Sequence, residues 1–154
     1  MHRIRKAILR WHISVTATLV PLLLRWLSLR AMLALFTPPR RWQPYRGFRA
    51  EEILGLIRKR LANPVYMIRR ACLREGLLLF HFMRLADLEA TLHIGVHPPE
   101  AARRLRAHCW ITSDGKPISD DPGEQLAKVL VYPKPDARIG DKCVALGNYS
   151  PNYR

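Results

Sequence analysis

Cys72, His108 and Asp120 are the side chains whose types and order can do covalent chemistry. A thiol becomes a working nucleophile when its anion is stabilised, a base stands within reach, and a third group orients that base. From about Arg70 to Ala86 the apolar residues Leu73, Leu77, Phe80 and Met83 recur at three- and four-residue spacing, which predicts a helix with one buried face. Cys72 would lie in its first turn, where backbone N–H groups and the positive end of the helix dipole favour a thiolate. His108 falls in a predicted strand, Ala107 to Thr112, and the return strand begins at Pro117 to Ser119. Between them Ser113-Asp114-Gly115-Lys116 has the chemistry of a tight hairpin turn, with Asp114-Gly115 as the left-handed pair. Counting outward from that turn, position 108 opposes about 121, so Asp120 is within one residue of register. Directly opposed side chains are about 4.5–5.5 Å apart at Cβ, within reach of a carboxylate for an imidazole nitrogen. Asp121 is the reserve candidate, because adjacent strand residues face opposite ways and only one of the two can serve.

The neighbouring residues invite other chemistries. Cys109 follows His108 on its strand and is expected to face away from the triad, while Cys143 has no catalytic context. His93 and His97 share a strand face and, with His108, suggest a metal, but no matching acidic or thiolate set accompanies them. Neither a metal nor another cofactor is expected. Trp110 shares a face with His108 and is a candidate substrate-binding wall, with an ordinary core aromatic as the alternative. Arg103, Arg104 and Arg106 read as a solvated loop, from which Arg106 is a candidate contact to bound peptide.

The elements that must carry these residues follow from 154 residues of which 49% are hydrophobic, enough for one domain with a real core. Residues 1–36 read as helix, basic at the start, apolar from Ile13 to Leu24, and kinked at Pro21. Thr37-Pro38-Pro39 stops the pattern, and an ordered, aromatic connector runs to Gly47. A helix resumes at Ala50, with Glu51 and Glu52 in its first turn, Arg58, Lys59 and Arg60 at its end, and Asn63-Pro64 after it. Ala90 to Val96 alternates as a strand; the tail from Gln125 onward is too aperiodic to assign. The class is α+β, divided into an N-terminal helical region with its connector (1–49) and a core (50–154), expected to form one compact unit.

The formal charge of +14 is concentrated early: residues 1–60 carry 13 Lys/Arg against 2 Asp/Glu. No RNP, zinc-finger or basic-zipper pattern accompanies it, so nucleic acid is not the expected partner. An acidic peptide, an acidic protein or a membrane surface fits the same charge. Arg25 and Arg30 interrupt the apolar run and argue against a membrane span, leaving helices packed on the core, or peripheral membrane contact through residues 1–36. Three cysteines without a CxxC pair, and no evident signal peptide, predict a cytoplasmic location, with membrane association as the variant.

Four blocks then carry a resemblance: Cys72-Leu73-Arg74-Glu75-Gly76-Leu77, Leu92-His93-Ile94-Gly95-Val96, Ala107-His108-Cys109-Trp110-Ile111, and Asp114-Gly115-Lys116-Pro117-Ile118-Ser119-Asp120. In order and spacing, with the triad members 36 and then 12 positions apart, residues 65–123 resemble the leader peptidases of lasso-peptide biosynthesis, transglutaminase-like cysteine proteases. The chain departs from that pattern at Glu75, Gly76, Asp87 and Cys109, where the family usually has Arg, Ser, Gly and Ala.

The resemblance implies a transglutaminase/papain-like core, with the Cys-bearing helix packed on a small antiparallel sheet. It implies removal of the leader from a ribosomally made precursor peptide through a thioester on Cys72, with His108 as acid and base. The amide N–H of Cys72 would be an oxyanion donor. The implied partners are the precursor at its leader–core junction, a separate leader-binding protein and a macrolactam synthetase. The alternatives are a transglutaminase-like acyltransferase, in which an amine takes the acyl group, and a non-catalytic membrane-associated or scaffold protein of a peptide-maturation complex.

Overall fold

A computed structural model describes residues 2–63, 71–96, 107–119 and 126–133. In chain order they form α1 (His2–Trp26), α2 (Leu29–Leu35), α3 (Ala50–Leu61), α4 (Ala71–Leu85), β1 (Thr91–Val96), β2 (Ala107–Ser113), β3 (Lys116–Pro117) and β4 (Ala127–Tyr132). This is the α+β arrangement expected, compatible with a transglutaminase-like core.

Everything is built around α4. Leu77, Leu78, Leu79 and Phe80 in succession, then Phe82, Met83 and Leu85, have no solvent exposure. A helix apolar on every side must be covered on every side, so the single buried face expected from spacing understates its burial. Helices α1 and α3 cover one flank, and strands β1 and β2 the other. Leu9, Ile13, Ala17 and Val20 of α1 and Ile53 and Ile57 of α3 supply the facing residues, so the N-terminal helix and the sheet share one hydrophobic cluster.

The chain breaks where local chemistry offers a better partner than the helix. Helix α1 continues through Pro21, and the run divides at Ser28, whose hydroxyl accepts the Ala31 N–H at 3.3 Å and caps α2. The Glu52 carboxylate accepts the Arg49 N–H at 3.2 Å and closes the start of α3. At the far end of α4, Asp87 takes the left-handed conformation (φ 65°), and the Leu88 N–H reaches back to the Met83 carbonyl at 2.9 Å. Side chains hold that turn: Gln43 donates to the Asp87 carboxylate, and Arg46 pairs with it at 3.3 Å. The connector is thereby tied to α4, with Tyr45 buried against Phe82 and Phe48 buried beside Tyr45.

The sheet is antiparallel throughout, in the order β3-β2-β1-β4. Asp114 (φ 48°) and Gly115 (φ 75°) form the left-handed pair between β2 and β3. Thr112 opposes Pro117 and Ser113 opposes Lys116, the register obtained by counting. Strand β4 had no counterpart in the sequence reading; it pairs with β1, making β1 an inner strand.

One partly buried histidine gives the fold a pH dependence. His81 of α4 packs among His12, Phe36 and Phe82, with its Nδ1 3.1 Å from the Phe36 carbonyl oxygen. Burial pushes its pKa from 6.5 to about 4; the Phe36 carbonyl opposes this, and His12 adds to it. The folded state thus binds fewer protons than the unfolded chain between these values, and stability is lost as pH falls through that window. The expected loss from pH 7 to 4 is on the order of 3 kcal/mol, read as a falling denaturant midpoint. His81→Gln is expected to flatten that fall.

Candidate active site

Cys72 is the second residue of α4, at the end of the helix that is not closed by Asp87. Its thiol is partly exposed. Two contacts around this end set the helix in place. Arg58 at the end of α3 pairs with Glu75 at 3.1 Å, which gives the acidic residue at 75 a structural role. The second is a close fit between Gly76 and Cys109: a Cβ on Gly76 would stand 2.5 Å from the Cys109 Sγ. Two of the departures from the resembled pattern are therefore neighbours in space, with the sulfur of one occupying the room left by the missing side chain of the other.

That contact corrects the expected orientation of Cys109. Strand alternation does put it on the opposite face from His108, but that face is the one α4 covers. Cys109 is therefore beside the helix that carries Cys72. Burial, with Cys72 and Glu75 adding to it, pushes the Cys109 thiol up to about 12, so it stays protonated at neutral pH. Gly76→Ala is expected to destabilise the fold by about 1–3 kcal/mol through overpacking. Adding Cys109→Ala should restore stability to wild type or above, since the clash goes and alanine is the better helix former. Equal thermal midpoints for wild type and Gly76→Ala would show that the contact is not constraining.

Cys72 and His108 line one pocket of about 440 Å³, together with Leu29, Leu73, Ile94, Ala107 and Cys109. The floor is apolar, and Leu29 brings α2 to the pocket. Nothing in the sequence marks Leu29, Leu73, Ile94 or Ala107 as site residues; aliphatic residues at ordinary helix and strand spacing carry no local mark of a pocket. A cavity of equal volume lies at the opposite end of α4, lined by Arg40, Arg84, Asp87 and Glu89 among others, and it presents neither cysteine nor histidine.

The imidazole of His108 is supported from the sheet. Its ring stacks on Trp110 at 6.2 Å between centroids, and Trp110 stacks in turn on His93 at 5.2 Å. His93 is anchored by its Nε2, 2.8 Å from the Thr112 hydroxyl. Gly95, opposite His108 in the ladder, leaves room for the indole, whose ring carbons lie 3.2 Å from where a Cβ would be. Trp110 is buried and does not line the pocket, so its contact with the site is through the imidazole.

The other named residues divide as follows. Asp120, Asp121, Arg103, Arg104, Arg106, His97 and Cys143 lie outside the described residues. Ser119 is the last described residue of the hairpin, and its hydroxyl accepts the Ile111 N–H at 2.9 Å. Among the described residues no group of three or more His, Cys, Asp or Glu is arranged to hold a metal ion.

The arrangement brings a partly exposed thiol at a helix N-terminus and His108 of β2 to one small apolar pocket, while the His108 ring stacks on Trp110 on the sheet face away from α4; acyl transfer through sulfur requires that ring to turn toward Cys72. No curated protein and no solved structure matches the chain. A family model described as the transglutaminase-like superfamily matches residues 4–131, from the first turn of α1 into β4. The chain belongs to the transglutaminase-like superfamily.

Proposed function

We propose that the protein is a cysteine peptidase that removes the leader from a ribosomally synthesised precursor peptide during lasso-peptide maturation. The superfamily includes both cysteine proteases and acyltransferases. The observation that carries the proposal is the sharing of one pocket by Cys72, at the start of α4, and His108, on the sheet. The four sequence blocks around these residues supply the narrower assignment to leader removal.

In this reading the Cys72 sulfur attacks the scissile carbonyl, and the amide N–H of Cys72 donates to the developing oxyanion. A donor of this kind contributes about 2.7–4 kcal/mol to the transition state. His108 protonates the departing amine, leaving the leader as a thioester on sulfur. It then takes a proton from water, which attacks the thioester and releases the leader acid. Asp120, with Asp121 in reserve, orients the imidazole. Leu29, Leu73 and Ile94 receive an apolar side chain of the precursor next to the scissile bond. A separate leader-binding protein presents the substrate, and a macrolactam synthetase takes the freed core.

The test is incubation of the protein with a precursor peptide, its leader-binding partner and an isotopically labelled amine. Leader released as the free acid supports the peptidase. Label incorporated into the leader in place of hydrolysis would assign the protein to the acyltransferases.

A further inference from the structure

Helix α1 is apolar on two opposite sides, and the fold uses only one. Leu9, Ile13, Ala17 and Val20 enter the core. Facing away are Ile4, Ile8 and Trp11, then after eleven residues Val15, Leu19 and Leu22, then Trp26, with side chains from 38% to 81% exposed. At ~100° per residue these seven fall within ~80° of arc, a stripe ~33 Å long. An eleven-residue repeat keeps such a stripe nearly straight along the helix, unlike the seven-residue repeat that winds two helices into a left-handed coil.

The surroundings of the stripe are positively charged. The first 50 residues contain no Asp or Glu. Arg3, Arg10 and Arg25 are exposed on α1. Beside the helix, a cavity of about 260 Å³ is lined by Arg10, Ser14, Lys59 and Arg60, three cations and a hydroxyl converging between α1 and α3. A second copy of the chain carries +14 itself, and residues 134–154 hold four basic residues against two acidic. Neither offers the complementary charge.

We propose that the outer face of α1 docks the protein on an anionic phospholipid bilayer, with a headgroup phosphate in the Arg10–Lys59–Arg60 cavity. The helix lies in the membrane plane. It is long and apolar enough to cross, with a mean hydropathy of 1.5 over an 18-residue stretch, but crossing would pull Leu9, Ile13, Ala17 and Val20 out of the core they share with α4. In-plane docking leaves that core intact and sinks only the outer stripe among the acyl chains, with the flanking arginines at headgroup level. Docking is independent of the proposed peptidase activity.

The experiment is co-sedimentation of the full chain with vesicles of phosphatidylcholine alone or mixed with phosphatidylglycerol. Wild type and Cys72→Ala are both expected to pellet with the mixed vesicles and to be released by high salt. Ile8→Gln combined with Leu19→Gln should weaken partitioning by about tenfold or more through lost apolar burial. Arg10→Glu combined with Lys59→Glu should weaken it by roughly tenfold through lost headgroup attraction. Because all four side chains are exposed, both variants should keep the wild-type circular dichroism spectrum and thermal midpoint. Equal pelleting by phosphatidylcholine alone, or by the variants, would overturn the proposal. So would retention through alkaline carbonate, the mark of a spanning helix, or a salt-resistant dimer that Leu19→Gln dissolves in the absence of vesicles.

Discussion

Cys72→Ala is expected to lower kcat/KM for leader removal by at least about a thousandfold, with KM for the precursor little changed. The loss should be this large because water cannot replace a sulfur that forms the covalent intermediate, whereas the pocket walls that bind peptide remain. Folding should survive, since the thiol is partly exposed and the helix is held by its fully buried residues from Leu77 to Phe80. The same sulfur is expected to take iodoacetamide at neutral pH well before Cys109, whose thiol is buried and held protonated with a pKa pushed up to about 12. Mass spectrometry of the alkylated chain gives the site. A maturation pathway running at full rate with Cys72→Ala would leave the protein a scaffold and end the peptidase reading.

His108→Ala is expected to cost about 10²–10⁴-fold in kcat, the range for loss of a positioned acid–base group. The effect should be recovered in part by added imidazole, which can enter the space the ring leaves. In combination with Cys72→Ala the loss should be no greater than for Cys72→Ala alone, because the two groups act on the same steps. Additive losses would mean that His108 acts elsewhere, for example in holding the end of β2 through its stack on Trp110.

How the site is assembled also explains which parts of it could be read in advance. The boundaries of α4 and the Asp114-Gly115 turn with its register are local matters. Each depends on side-chain periodicity, capping or steric tolerance within a few residues, and each was expected from the chain. Strand β4 was not, because Ala127–Tyr132 is half exposed and earns its place only by pairing with β1. Nor was the break at Ser28, where a side-chain cap starts a new helix.

What the amino-acid order determined by itself is the set of chemical groups, Cys72 at a helix start and His108 on a strand, and the local turns that hold them. The tertiary structure alone decided that Leu29 from α2 joins their pocket, that Cys109 turns toward α4 and rests on Gly76, and that one apolar face of α1 stays outside. The physical reason is that local preferences act over a few residues, whereas which faces meet depends on how elements far apart in the chain share one hydrophobic core.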